Sequence, residues 1–135
     1  MAKKKVLVVD DEQGFLEFIR DRLEAKRFDV MIASNGIEAL EMAHSVHPDL
    51  IILDIIMPGM NGFDVCRKLK IDSKFSGIPV IMLSAKFQPN DIEFGKEMGA
   101  DAYLTKPLEL EALSDKMNEL LRIKKKPSGK RPISK

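Results

Sequence analysis

Five short apolar stretches recur along the chain. Each is followed by a longer segment in which apolar residues return every three or four positions. That alternation is the mark of β-α units built around a parallel sheet. It predicts strands at about 5–10, 29–33, 49–54, 79–84 and 101–105. Val6-Leu7-Val8-Val9, Leu50-Ile51-Ile52-Leu53 and Val80-Ile81-Met82-Leu83 are apolar throughout, as strands covered on both faces are. Val30-Met31-Ile32-Ala33 and Ala102-Tyr103-Leu104 are shorter or mixed, which suits sheet edges. The intervening segments predict five helices. Phe15, Ile19 and Leu23 share a face of the first, and Ile37, Leu40 and Ala43 point inward from the second. Phe63, Cys66 and Leu69 repeat every three residues in the third. A fourth at about 89–98 opens on Pro89 and ends at Gly99, and a fifth from about 109 to 122 carries Leu110, Leu113, Met117, Leu120 and Leu121.

With runs one, three and four central and two and five at the edges, the strand order is 2-1-3-4-5. This is the flavodoxin-like, doubly wound α/β sheet. Ligands of such sheets bind outside the carboxyl ends of the strands, where the strand order reverses. The residues found there are not ordinary. Asp10 and Asp11 close the first run and Asp54 the third, Ser84 closes the fourth, and Lys106 follows the fifth. If the runs are neighbours, three carboxylates, a hydroxyl and an ammonium converge. A pair of like unit charges at about 4 Å costs about 4 kcal/mol at an effective dielectric near 20. Such a cluster binds protons, a cation or both. Oxygen ligands without His or Cys favour a hard ion, with Mg²⁺ the usual choice where carboxylates share it with water and phosphate. A cation, a lysine and a hydroxyl around a carboxylate suit in-line phosphoryl transfer onto that carboxylate. Each element alone has a plainer reading: Asp10-Asp11 as a turn or helix cap, Asp54 as a turn residue, Ser84 as a loop hydroxyl, Lys106-Pro107 as a strand terminator. Their joint placement on successive strand ends favours a site.

The 135 residues are 44% hydrophobic and 32% charged, enough for one domain with a substantial core. A lone cysteine, Cys66, on the apolar stripe of the third helix reads as core and suits a reducing cytoplasm. No apolar run approaches the roughly 18 residues a bilayer needs. The net charge of +1 hides an asymmetry, because Lys124, Lys125, Lys126, Lys130, Arg131 and Lys135 crowd one end with Pro127, Gly129 and Pro132. Without those six, 16 basic residues face 21 acidic ones, a net of −5. Residues 1–123 are therefore expected to form the globular domain, and 124–135 a basic, disordered tail or the start of a linker. His44 and His47 read as surface histidines.

In Val8-Val9-Asp10-Asp11-Glu12, Leu53-Asp54-Ile55-Ile56-Met57-Pro58-Gly59-Met60-Asn61-Gly62, Leu83-Ser84-Ala85 and Thr105-Lys106-Pro107 the chain resembles the receiver domain of two-component response regulators. The resemblance covers roughly residues 4–123. It implies that Asp54 accepts a phosphoryl group from the phosphohistidine of a sensor histidine kinase or phosphotransfer protein. It further implies that Asp11, Asp54 and the Ile56 carbonyl ligate Mg²⁺, with Asp10 acting through water. Ser84 and Lys106 would hold the phosphoryl oxygens, and the Lys106-Pro107 bond would be cis. Tyr103 matches the switch aromatic of a face formed by helix four, strand five and helix five. That face would control an output domain or partner, or a homodimer formed on phosphorylation. Ile56 and Lys86 stand where the family tunes phosphoryl lifetime. Apolar Ile56 cannot orient an attacking water, so the phosphoryl group should be long-lived, and a half-life of seconds would contradict that. Leu108 replaces a common Phe.

On this reading the chain is no enzyme beyond its own phosphoryl transfer and slow autodephosphorylation. It is expected to be cytoplasmic, off the membrane and without direct DNA contact. One alternative is the regulatory piece of a larger transcription factor or output enzyme. Another is a receiver-shaped scaffold indifferent to phosphorylation. A remoter one is a haloacid-dehalogenase-type phosphatase, which needs a second acid two residues after its nucleophile, where Ile56 stands.

Overall fold

A computed structural model describes residues 2–85, 88–107 and 109–124. Strands β1 (Lys5–Val9), β2 (Asp29–Ala33), β3 (Leu50–Leu53), β4 (Val80–Ser84) and β5 (Ala102–Thr105) alternate with helices α1 (Gln13–Ala25), α2 (Gly36–Val46), α3 (Gly62–Lys70), α4 (Pro89–Glu97) and α5 (Leu110–Lys124). All pairings are parallel and the order is β2-β1-β3-β4-β5. β3 and β4 are buried along their whole length, whereas β5 is only partly covered. This is the expected division into centre and edge.

Because side chains alternate across a strand, the sheet divides its apolar residues between two cores. Val6, Val8, Leu50, Ile52, Ile81 and Leu83 pack with Leu16, Ile19 and Leu23 of α1 and with Leu113, Met117 and Leu121 of α5. Leu7, Val9, Ile51, Leu53, Val80 and Met82 face the other way, onto Ala39 and Ala43 of α2 and Phe63, Val65, Cys66 and Leu69 of α3. The strands are thus gripped from both sides, and their carboxyl ends are set by a close-packed interior.

Two helices depart from expectation in phase. In α2, Ile37 is 61% exposed and does not point inward. The buried face is Gly36, Ala39 and Ala43. A Cβ on Gly36 would lie 2.9 Å from both Met60 Cβ and Val65 Cγ2, so α2 meets α3 through its smallest residues and turns Ile37 outward. The helix starts where Asn35 Oδ1 accepts from the Glu38 amide at 2.9 Å. In α1, Leu16 joins Ile19 and Leu23 as the buried set, and Phe15 is half-buried at the margin. Pro89 opens α4, and Gly99, at φ +103°, follows its end. Lys124 belongs to α5, and the basic tail expected beyond it lies outside the described residues.

At the amino ends of β4 and β5, Lys70 Nζ donates to the Ile78 carbonyl at 2.8 Å, to Asp101 Oδ2 at 2.9 Å and to the Ser76 carbonyl at 3.2 Å. Asp101 Oδ2 also accepts from the Val80 amide at 2.8 Å. His44 and His47 are exposed, and their rings flank Phe75 at 4.6 and 5.1 Å between centroids. Cys66 is fully buried, and burial pushes its thiol up to about 11, in keeping with a core role. Among the described residues no helix is long and apolar enough to cross a membrane.

Candidate functional site

The carboxyl ends of β1 and β3 lie side by side because the Asp54 amide donates to the Val9 carbonyl at 3.0 Å. One carboxylate oxygen from each of Asp10, Asp11 and Asp54 falls within 4.8 Å of the others. Asp10 and Asp54 are buried, 1% and 7% exposed, while Asp11 faces solvent. β5 delivers the lysine: the Lys106 amide donates to the Ser84 carbonyl at 3.0 Å. Its Nζ reaches Asp10 Oδ2 at 2.7 Å and Asp54 Oδ2 at 3.8 Å. Ser84 is fully buried and its side chain hydrogen-bonds Asp54. The predicted residues Asp10, Asp11, Asp54, Ser84 and Lys106 therefore meet in one crevice.

The plainer readings of the acids hold only in part. Glu12 is the N-cap residue of α1, and Asp10 Oδ1 instead accepts from the Glu12 amide at 3.0 Å in an Asx-type turn. Asp54 Oδ1 accepts from the Ile55 amide at 2.8 Å. Asn61 caps α3 through its Oδ1, which accepts from the Asp64 amide at 3.0 Å. Directly after it, Gly62 packs its Cα onto the Asp54 peptide.

Burial, and next the charge of Asp10, push the Asp54 carboxyl above its usual range. Lys106, the Ser84 hydrogen bond and the Ile55 amide act in the opposite direction. A carboxyl raised by folding contributes stability that is present below its unfolded pKa and is lost as pH rises through the folded one. Asp54→Asn removes that loss and keeps an oxygen for the Ile55 amide. It should melt above wild type near about pH 7 in chelator, with the gain fading towards about pH 3. Thermal scans across pH check this, and equal melting at neutral pH would contradict it.

Three oxygen-only ligands around one lysine leave negative charge in excess, and this donor set fits a hard divalent cation. Ile56 is 55% exposed at the mouth. Tyr103 is half-buried on β5 beside Gly95 of α4, whose added Cβ would lie 3.2 Å from the ring. Burial, with Asp91 and Asp54 adding to it, pushes the Tyr103 phenol up to about 12, so it stays protonated. Lys106-Pro107 is cis, whereas Lys86 and Leu108 lie outside the described residues. Phe15, which the periodicity assigns to the core, is the neighbour that the sequence does not reveal: its ring centroid lies 4.2 Å from Lys106 Nζ.

Fold and crevice together define a receiver-type signalling domain. The response regulator receiver domain family matches residues 6–118, and the chain belongs to that family. It is 39% identical over 120 residues to the DNA-binding response regulator MtrA of Mycolicibacterium paratuberculosis, covering 89% of this chain and 52% of the relative. It is 40% identical over 119 residues to the alkaline phosphatase synthesis transcriptional regulatory protein PhoP of Bacillus subtilis, covering 88% and 49%. The chain thus spans about half the length of the curated relatives it matches. Among solved structures it resembles the chemotaxis protein CheY4 of Vibrio cholerae, with 32% identity, a TM-score of 0.84 and coverage of 88% and 99%. It also resembles the receiver domain of a signal transduction histidine kinase from Syntrophus aciditrophicus, with 32% identity, a TM-score of 0.85 and coverage of 97% and 99%.

Proposed function

We propose that Asp54 accepts a phosphoryl group from a phosphohistidine on a sensor kinase or phosphotransfer protein. The observation that carries this is the meeting of three carboxylates within 4.8 Å with a lysine 2.7 Å from one and 3.8 Å from another. With Oδ1 held by the Ile55 amide, Oδ2 faces Lys106 and is the attacking oxygen. The phosphorus–nitrogen bond of the donor breaks as a phosphorus–oxygen bond to Asp54 forms, and the imidazole leaves with the bonding pair. Asp11, Asp54 and the Ile56 carbonyl would hold Mg²⁺ directly and Asp10 through water, and the bound ion would supply charge neutralisation for the transferring oxygens. Lys106 and Ser84 supply the remaining donors to those oxygens. No acid stands at position 56 to activate water, so the acyl phosphate persists and the domain signals instead of turning over.

A dianionic group beside Lys106 draws the Ser84 hydroxyl towards it, and Tyr103, packed against Gly95 of α4, carries the change to the α4–β5–α5 face. A second reading concerns context. The chain covers 52% of a relative named as DNA-binding, so in that setting this domain would be the regulatory part of a longer regulator. Treatment with phosphoramidate or acetyl phosphate in Mg²⁺ should add one phosphoryl group to wild type and none to Asp54→Ala, read by intact mass. An unmodified wild type overturns the proposal. The adduct should decay with a half-life longer than seconds.

A further inference from the structure

We propose that Phe15 is the positioning residue of Lys106, its ring face keeping the ammonium in the crevice between Asp10 and Asp54. The inference deepens the phosphoacceptor reading and rests on it. The Lys106 ammonium lies 4.2 Å from the Phe15 ring centroid, well inside the roughly 6 Å reach of a cation–π contact. Its side chain is 21% exposed, so the contact is largely screened from water. The ring is itself fixed, since Phe15 packs against the core of α1 and α5. The other cation–π pair of α1, Arg22 over Phe18 at 4.9 Å, is local and sits on a ring that is 44% exposed.

A lysine on a four-carbon stem needs more than one anchor to stay on target. Asp10, at 2.7 Å, is the close anionic anchor, and it belongs to the acid cluster that suits a cation. When a cation competes for Asp10 and Asp54, the aromatic face is a partner that it does not take, and it keeps the amine within reach of Asp54 Oδ2. A leucine would fill the space but supply no quadrupole.

The test replaces Phe15 by Leu and, separately, by pentafluorophenylalanine, which preserves ring shape and reverses its electrostatics. Two quantities are followed on the full chain: the NMR shifts of the Lys106 ε-methylene protons, with and without Mg²⁺, and the rate of phosphorylation by acetyl phosphate. The ε-protons should be displaced upfield in wild type under both conditions and relax in Phe15→Leu. Phosphorylation should slow about threefold to tenfold in both variants. Should Phe15→Leu fail to fold, the fluorinated chain still decides the matter, because it keeps an aromatic ring in place and an unchanged melting temperature separates lost electrostatics from disturbed packing. A rate unchanged by fluorination, or unshifted ε-protons in wild type, overturns the proposal. The shifts speak to the ring contact even if wild type takes no phosphate, an outcome that would sink the phosphoacceptor reading separately.

Discussion

Gly62→Ala is expected to destabilise the domain by about 3 kcal/mol or more and to cripple phosphoryl acceptance. The added Cβ would sit 2.1 Å from the Asp54 carbonyl oxygen and 2.8 Å from both the Asp54 carbonyl carbon and Ile55 Cα. All three are backbone atoms, so no rotamer change relieves the overlap. Either α3 lifts at its first turn, breaking the 2.9 Å bond from the Gly62 amide to the Ile55 carbonyl, or the Asp54 peptide moves. Both displace the acceptor. Gly59 and Gly14 are the controls. Gly59, at φ +77° with nothing within 4 Å of an added Cβ, should lose only about 1–2 kcal/mol as Ala through left-handed strain. Gly14, in open space within α1, should be neutral or gain up to about 1 kcal/mol. Urea midpoints at unchanged slope measure all three, and a Gly62→Ala chain as stable as wild type would show that the loop yields.

Lys106→Met should cost about 3–5 kcal/mol in chelator, because Asp10 is 1% exposed and loses the ammonium 2.7 Å away. The sign is opposite to that expected for Asp54→Asn, although both variants change the same electrostatic cluster: one deletes a surplus negative charge, the other the positive charge that offsets it. Magnesium should separate fold from function. Lys106 competes with a cation for Asp10, so its loss should tighten Mg²⁺ binding, and each tenfold gain in affinity narrows the stability gap by about 1.4 kcal/mol at saturating Mg²⁺. Phosphoryl acceptance should remain about 10²-fold or more below wild type, since the donor to the transferring oxygens is gone. Unfolding curves with and without Mg²⁺, paired with mass analysis after donor treatment, check both. Wild-type stability for Lys106→Met in chelator would mean that Asp10 needs no counter-charge.

The strand order could be anticipated because burial on two faces forces continuous apolar runs, and only β1, β3 and β4 have them. The site followed from that order, since Asp10, Asp11, Asp54, Ser84 and Lys106 each sit at or just beyond a strand's carboxyl end. What escaped lies between elements. Ile37 was placed inward by its hydrophobicity, yet helix phase in α2 is set by how closely Gly36 and Ala39 let the backbone approach α3. Periodicity weighs side-chain polarity and is blind to that steric choice. The contact of Phe15 with Lys106, and the Lys70–Asp101 junction, join residues from distant parts of the chain whose types carry no pairing signal.

That junction bears on how the domain can move. Lys70 and Asp101 rivet the feet of β4 and β5 to the end of α3, at the opposite pole from Ser84 and Lys106. If the proposed phosphoryl group draws the tips at Ser84 and Lys106, strands held at their bases would pivot more readily than slide. On the proposed phosphorylation, a small pull beside Asp54 would appear as a tilt, largest at the carboxyl-end rim and smallest at the junction. Loosening the rivet, as in Lys70→Met, would let the same pull dissipate as sliding of the whole strand.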